Sequence, residues 1–202
     1  MRTPGPTPGG PGPIPAGMTI RHADAARDAA GCAAVYAPFV SDTVISFEQR
    51  VPTAADFAAR INRIEQTHPW LVAERDGVVA GYAYGCPHRE RAAYRWAAEV
   101  TVYVDRALHR QGVGRALYGA LLDLLRRQGL WVACAGVGLP NEASVALHES
   151  LGFVPVGVYR RIGYKFGTWW DVGWWQLALH DPTEGPPAEP GPPARLGVEK
   201  GP

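Results

Sequence analysis

The chain has 202 residues, with 20 basic and 19 acidic side chains and a net charge of +1. This balance predicts no nucleic-acid partner, and the absence of an apolar run of about 18 residues predicts no membrane span. The three cysteines, Cys32, Cys86 and Cys134, form neither a metal-binding pattern nor a disulfide framework. We therefore expect a cytoplasmic protein without a metal site.

Glycine and proline are concentrated at the two ends of the chain. Residues 1–17 contain five glycines and six prolines, and residues 181–202 contain four and seven. Because such segments cannot bury a core, we predict a disordered extension over 1–17 and a disordered tail over 181–202. Residues 18–180 are predicted to form one globular domain. No signal peptide is expected, and Met18 is a candidate alternative start.

The first quarter of the domain predicts one strand and two helices. A short strand begins at 19–21, and a helix that starts after Asp24 is expected to end at Pro38. The β-branched and aromatic residues of 43–47 predict a short extended piece. Thr53 is the predicted N-cap of the second helix, whose apolar residues recur at a spacing of three to four.

A hairpin and a central strand follow. Segments 70–75 and 78–84 are joined by Asp76-Gly77, a pair that suits a type I′ turn. Segment 99–104 then alternates, which predicts that Val100, Val102 and Val104 face one side and that Glu99, Thr101 and Tyr103 face the other.

The last third of the domain predicts two more helices and three more strands. A helix follows Gly114, an apolar strand covers 131–137, and Asn141 caps a short helix. Strands are predicted at 154–159 and 172–179. The expected order is β-α-α-β-β-β-α-β-α-β-β, which is a mixed α/β (α+β) domain with a central twisted sheet flanked by helices.

One loop between a strand and a helix has the composition of an anion site. Gly112 and Gly114 allow close approach of a ligand to the backbone, at a point where helix N–H groups are free. The loop contains Arg110, Gln111, Gly112, Val113, Gly114 and Arg115. The alternative is a glycine-rich turn that binds nothing, since two glycines alone are a weak signal. The loop matches neither a dinucleotide fingerprint nor a Walker loop.

The order of the later segments resembles the GNAT superfamily of acyl-CoA-dependent N-acyltransferases. The relevant segments are strand 102–104, the Gly112/Gly114 loop with its helix, strand 131–137, and Asn141 followed by His148 to Phe153. The resemblance implies that acetyl-CoA is a co-substrate, bound by Val102, Tyr103, Val104, the loop 110–115 and Asn141. The chain departs from the family pattern at His109 and at His148, which replaces the usual tyrosine.

Within this superfamily the chain is most similar to phosphinothricin N-acetyltransferases. The similarity is carried by segment 94–104, Gly138-Leu139-Pro140-Asn141, His148-Glu149 and segment 171–176. It implies N-acetylation of phosphinothricin or of another small amino acid, and hence resistance or detoxification. Methionine sulfoximine, methionine sulfone and other amines remain alternative substrates.

Glu99 is the candidate general base. The ammonium of an amino acid must lose a proton before it attacks a thioester, and a partly desolvated carboxylate at a strand start suits this task. The alternative is a solvated carboxylate or an ion pair with Arg91 or Arg95.

His148 is the second catalytic candidate. It could protonate the departing thiolate or assist the base, and the alternative is a histidine that only packs in its helix. No Ser-His-Asp or Cys-His pairing is evident, so direct transfer in a ternary complex is expected.

A substrate with two anionic groups requires cations or hydroxyls. Arg91, Tyr94, Tyr164 and Lys165 are therefore candidate substrate-binding residues, although loop cations are often only solvated. Phe47 is a candidate wall of the same pocket, because the segment before it resembles the substrate loop of the family. Adjacent Trp174 and Trp175 on one strand point to opposite faces, so a monomer would expose one of them. This observation predicts a homodimer.

Two hypotheses from other classes compete with an enzyme. A non-catalytic acyl-CoA-binding module would need the glycine loop but not Glu99 or His148. A Rossmann-type nucleotide-binding domain is disfavoured by the hairpin at 70–84 and by the lack of an acidic residue at the expected spacing.

Overall fold

The computed structural model describes residues 12–181 and 187–196. A seven-stranded sheet lies at its centre, in the spatial order β1-β2-β3-β4-β5-β7-β6. Only β4 and β5 are parallel neighbours, so the sheet is mixed and is not the parallel sheet of a Rossmann domain. The strands are β1 (Met18–His22), β2 (Trp70–Arg75), β3 (Val78–Pro87), β4 (Ala97–Val104), β5 (Val132–Leu139), β6 (Val154–Lys165) and β7 (Thr168–Ala178).

The α-helices lie on both faces of this sheet. They are α1 (Ala25–Ser41), α2 (Ala54–Ile64), α3 (Val113–Gln128) and α4 (Glu142–Ser150). The predicted element order and the mixed α/β class are confirmed. Within the described residues, no helix is both long enough and apolar enough to cross a membrane.

Two apolar clusters, one on each face, hold these layers together. The larger contains the leucines of α3 with Val100 of β4, and the smaller contains Phe57 of α2 with Tyr82 of β3. Tyr103 of β4 packs against the smaller cluster. The predicted alternation along β4 is therefore confirmed, and Glu99 shares the face of Tyr103.

The predicted N-caps of α2 and α4, Thr53 and Asn141, are confirmed. The Thr53 hydroxyl accepts from the amide of Asp56 at 3.1 Å, and the Asp56 carboxylate accepts from the amide of Thr53 at 2.8 Å. This reciprocal pair is a capping box. Asn141 Oδ1 caps α4 through the amide of Ser144 at 3.2 Å.

Two predictions near the end of α1 are wrong. The helix continues through Pro38 to Ser41, because the proline lies in the last turn and removes one ladder bond while Phe39 and Val40 become buried. Residues 43–47, predicted as a short extended piece, instead bend at 44–46. The Thr43 and Ser46 carbonyls accept hydrogen bonds from a lysine instead of a neighbouring strand.

The last hairpin is longer than predicted. β6 extends to Lys165 and β7 begins at Thr168, so both strands continue through residues that the sequence assigned to a loop. β6 is the edge strand of the sheet. This extension places the hairpin tip beside the segment after α1.

Part of the tail predicted as disordered over 181–202 lies against the domain. The indole of Trp96 donates to a carbonyl of segment 187–196 at 2.8 Å, and the Gln128 carbonyl accepts from an amide of that segment at 2.7 Å. Leu196 packs on the larger apolar cluster. Proline prevents helix and ladder formation there, yet an extended chain still makes single hydrogen bonds.

Most of the predicted N-terminal extension, residues 1–11, lies outside the described residues. Its described end approaches the glycine loop, where a Cβ on Gly112 would lie 3.9 Å from Pro15.

Candidate active site

A cleft opens in the sheet where β4 and β5 separate. The two strands pair only through Ala97–Glu99 and Val132–Cys134. From Val100 onward, the described part of β4 has no β5 partner. On that side the Val104 carbonyl accepts from His109 Nε2 at 3.0 Å, and the backbone groups before it can pair with a ligand. The cleft can therefore accept an extended molecule in place of the missing strand pairing.

Both strands, both flanking helices and the segment after α1 line this cleft. Val102 and Tyr103, two of the predicted coenzyme-binding residues, lie on its β4 side, and Val104 is the last residue of that strand. The remaining lining residues are Ile45, Val100, Thr101, Tyr118, Gly136, Val137, Gly138, Asn141, Ser144 and His148.

The glycine loop leads directly into α3. Gly112 has a left-handed φ of 86° and is the N-cap, and no side chain caps the helix. The amides of its first turn, including those of Val113 and Gly114, are therefore oriented toward a potential anion. By contrast, α1, α2 and α4 each have a capping side chain.

The other loop side chains have diverse contacts. Gln111 Nε2 donates to a backbone carbonyl at 3.3 Å. Arg115 Nη1 donates to the Ser150 hydroxyl at 2.9 Å, which ties α3 to α4. Arg110 has a positive φ of 62°, which directs the loop backbone around Gly112.

His148 is buried in the cleft wall, with 3% of its surface exposed. Its Nδ1 lies 2.7 Å from the Ser144 carbonyl, which can only accept, so Nδ1 carries the proton. Burial lowers the pKa of His148, although the bond to Ser144 opposes this effect. The imidazole is therefore neutral, and its Nε2 is an acceptor.

The donor to that acceptor is Tyr118 of α3. Its hydroxyl lies 3.0 Å from His148 Nε2, and 1% of the residue is exposed. Burial raises the pKa of Tyr118 far above its ordinary value, so the hydroxyl keeps its proton. Tyr118 was not among the residues predicted from the sequence; the available signal was a polar aromatic within a leucine-rich helix.

Glu99 lies at the point where the two strands separate, on the opposite face of the sheet. Its Oε1 accepts a hydrogen bond from Arg89 Nη1 at 3.0 Å and also lies 3.0 Å from His88 Nδ1. The carboxylate side chain is 29% exposed. The ion-pair partner is Arg89, whereas Arg95 instead pairs with Glu189.

The sequence assigned no role to His88, which lies 3.0 Å from Glu99. The signal that could have found it is strand register: His88 lies opposite Ala97, so its side chain is on the same face of the sheet as Glu99, at a diagonal position. The His88 ring also contacts Tyr94 and Trp174 edge-on, with centroid distances of 5.8 and 6.2 Å.

Two thiols flank Glu99 across the sheet. Cys86 of β3 and Cys134 of β5 both pair with it in register. Burial, supported by the Glu99 charge, raises the pKa of Cys86 to about 11 and also raises that of Cys134. Both thiols therefore remain protonated, which makes them poor nucleophiles.

The predicted substrate residues do not form one cluster. The Tyr94 ring contacts His88, which in turn lies beside Glu99. Arg91 is the N-cap of the short 3-10 turn that contains Tyr94. Phe47 lies against the hairpin at Gly163, and Tyr164 is half-exposed beside Trp169. Lys165 is buried and uses all its N–H groups on backbone carbonyls, which leaves none for a substrate anion.

The parallel strands β4 and β5 separate beside the uncapped N-terminus of α3, within a mixed sheet. The model of the acetyltransferase (GNAT) domain matches residues 20–174. The chain therefore belongs to the GNAT family and is an N-acetyltransferase.

The relatives make the family more specific. The chain is 42% identical over 173 residues to a phosphinothricin N-acetyltransferase of Streptomyces viridochromogenes, covering 86% of this chain and 94% of the relative. It is 39% identical to an L-methionine sulfoximine/L-methionine sulfone acetyltransferase of Salmonella typhimurium, covering 81% and 96%.

Solved structures agree with this assignment. A phosphinothricin acetyltransferase from Sinorhizobium meliloti, crystallised with acetyl-CoA, matches with a TM-score of 0.81 at 32% identity. The match covers 86% of this chain and 94% of that one. Among the residues described here, no group of three His, Cys, Asp or Glu side chains could hold a metal ion.

Proposed function

We propose that the protein transfers the acetyl group of acetyl-CoA to the α-amino group of phosphinothricin or a similar small amino acid. Glu99 acts as general base and transfer is direct, in a ternary complex. The observation that carries this proposal is the position of Glu99 at the point where β4 and β5 separate, one strand residue before the cleft. The biological role would be resistance or detoxification.

The site fits the proposed donor. Acetyl-CoA supplies an activated thioester. The β4 edge from Val102 to the Val104 amide would pair with its pantetheine arm, since the Val104 carbonyl already accepts from His109 Nε2. The uncapped first turn of α3 would bind its pyrophosphate. Arg110 and Gln111 stand beside that turn, and Asn141 lines the cleft while capping α4.

Glu99 takes the first proton. A substrate ammonium must become an amine, and Glu99 accepts this proton directly or through one water. Arg89 and His88 hold the carboxylate from one side, so its orientation is set before substrate arrives. His88 is a positioning residue in this scheme.

The Tyr118–His148 pair handles the second proton. Neutral His148 Nε2 has no proton to donate at the outset, so the pair first acts as an acceptor. As the amine attacks, Tyr118 takes a proton from the reacting nitrogen while passing its own to His148. The imidazolium then returns that proton through Tyr118 to the departing sulfur, and the neutral pair is restored.

The substrate class is tested by thiol release from acetyl-CoA with phosphinothricin, methionine sulfoximine, methionine sulfone, glutamate and a lysine-containing peptide. We expect turnover with one of the first three to exceed turnover with the peptide by at least about tenfold. Activity on the peptide alone would contradict the small-amino-acid proposal. Donor binding without turnover across a broad amine panel would favour a non-catalytic acyl-CoA-binding module.

We also propose a homodimer, but on different grounds from the two tryptophans. Trp175 is buried, and Trp174 is partly buried beside Gly136, so neither requires a partner. The edge strand β6 instead exposes a row of apolar side chains, including Val156 (63%) and Ile162 (58%). An exposed apolar edge of this length favours pairing with a second copy.

The dimer has a direct test. Sedimentation at micromolar protein should give about twice the chain mass of 21.8 kDa. The double variant Val156→Lys/Ile162→Lys should sediment as a monomer, because lysine on a strand edge opposes pairing. A wild-type protein that sediments at the single-chain mass would contradict the proposal.

A further inference from the structure

A buried lysine at the tip of the last hairpin has no place in the mechanism above. Lys165 is the final residue of β6 and is 6% exposed. Its Nζ donates to the carbonyls of Val40 at 2.7 Å, Thr43 at 2.9 Å and Ser46 at 2.6 Å. The ammonium therefore bridges β6 to the end of α1 and the segment that follows.

These three bonds satisfy the ammonium completely, since a lysine has three donors and no acceptor. Burial lowers the pKa of Lys165, and the nearby charge of Glu48 opposes that shift. A desolvated cation is costly unless its partners are well placed. The end of α1 and the segment after it supply those partners from backbone carbonyls. The carbonyls stabilise the buried ammonium, and the ammonium in turn holds the segment in place.

The choice of lysine at this position is informative. The chain has 18 arginines and two lysines, Lys165 and Lys200. A guanidinium is planar and matches forked acceptors, whereas an ammonium directs three donors to the corners of a tripod. Three carbonyls from one curved segment match this tripod better than they would match a planar guanidinium.

The clamped segment forms a wall of the cleft. Ile45 lines the cleft together with residues of β4 and β5. A Cβ on Gly138 of β5 would lie 2.7 Å from the Val44 carbonyl, and a Cβ on Gly163 of β6 would lie 2.6 Å from the Phe47 ring. The segment thus sits in close contact with two strands, each at a glycine.

We infer that Lys165 is a positioning residue that holds segment 40–47 as the wall of the acceptor site. It acts through Ile45 and Phe47 rather than by contact with the reacting groups. This role replaces direct anion binding, for which the ammonium has no donor left. Its kinetic readout rests on the proposed acetyl transfer, but its structural readout does not.

The test compares Lys165→Met, which keeps the length of the side chain, with Lys165→Arg, which keeps the charge but not the tripod. Arg63→Met, which removes an exposed cation on α2, is the control. With the best amine of the substrate panel, both Lys165 variants should raise KM for the amine by about tenfold, with kcat within about threefold of wild type. The dissociation constant for coenzyme A should change by less than about threefold, because β4 and α3 supply the proposed donor contacts and Ile45 only lines the same cleft.

A second readout needs no turnover. Hydrogen exchange of the amides in 40–47 should become faster in both Lys165 variants, while exchange in α3 stays as in wild type. Unchanged exchange in 40–47 would overturn the inference, whether or not any amine is acetylated. So would a KM that stays at the wild-type value in both variants.

If Lys165 only stabilised the whole fold, its loss would weaken every measured property, and not only the amine KM and the exchange of 40–47. If Lys165→Met unfolds the protein, Lys165→Arg and its circular dichroism spectrum decide the question. Equal losses in coenzyme affinity, α3 protection and amine KM would mean that Lys165 only stabilises the whole fold, which overturns the inference. An inactive wild type with a loosened segment in the variants would contradict the proposed function and support the clamp.

Discussion

Replacing Glu99 by glutamine is expected to lower kcat by about 100- to 1,000-fold, which lies within the roughly 100- to 10,000-fold contribution of a general acid or base. Glutamine keeps the size of the side chain and can still contact His88 and Arg89, but it cannot accept a proton. The dissociation constant for acetyl-CoA should stay within about twofold, because Glu99 precedes the free β4 edge that the donor would pair with. Steady-state kinetics and calorimetric titration of coenzyme A measure the two effects separately.

The matched control is Glu90→Gln, which removes an exposed carboxylate from the same connection between β3 and β4. It should leave kcat within about twofold. A Glu99→Gln enzyme with wild-type kcat would remove this carboxylate from the mechanism. His88→Asn should reduce kcat less than Glu99→Gln does, since His88 orients the carboxylate without accepting the substrate proton.

Removing the Tyr118 hydroxyl is the second change with a large expected effect. Tyr118→Phe should lower kcat by about 100-fold, because the reacting nitrogen loses its route to His148. His148→Gln should produce a similar loss, and the double variant should be no slower than either single variant. Such non-additivity is the signature of two groups that act as one unit.

Tyr159→Phe, which removes a hydroxyl from the exposed edge strand, is the control for the phenol change. Rate losses of Tyr118→Phe and His148→Gln that multiply in the double variant would contradict the relay. In that case the two side chains would contribute independently to the shape of the cleft.

The same buried imidazole predicts a pH effect on stability. Burial lowers the pKa of His148, so the unfolded chain binds a proton below about pH 6.5 where the folded protein does not. The free energy of unfolding should therefore fall as the pH drops below that value. His148→Gln should lose less stability between pH 7 and pH 5, as measured by urea unfolding. An equal loss in both proteins would contradict this assignment.

Helix caps and the facing of strand residues could be predicted from the sequence, because the interactions that cause them lie within a few residues of each other. Thr53 and Asn141 cap their helices through hydrogen bonds that span three positions. The alternation of 99–104 determined which side chains share a face of β4. The same segment, with Glu99 at its start, also carried the resemblance that led to the family.

Local signals failed where distant groups compete for the same backbone. Residues 43–47 have strand propensity, yet their carbonyls bind Lys165, which is more than one hundred positions away. Pro38 predicts a helix end, but burial of Phe39 outweighs the lost ladder bond. In both cases a tertiary contact overrode the local preference.

The sequence by itself determined the order of the elements, the mixed fold, the family, and Glu99 and His148 as titratable candidates. Only the tertiary structure decided the partners of those groups: Arg89 and His88 for Glu99, and Tyr118 for His148. The physical reason is that proton transfer depends on distances of about 3 Å between side chains far apart in the chain. Those distances follow from strand register and helix packing, which no local pattern encodes.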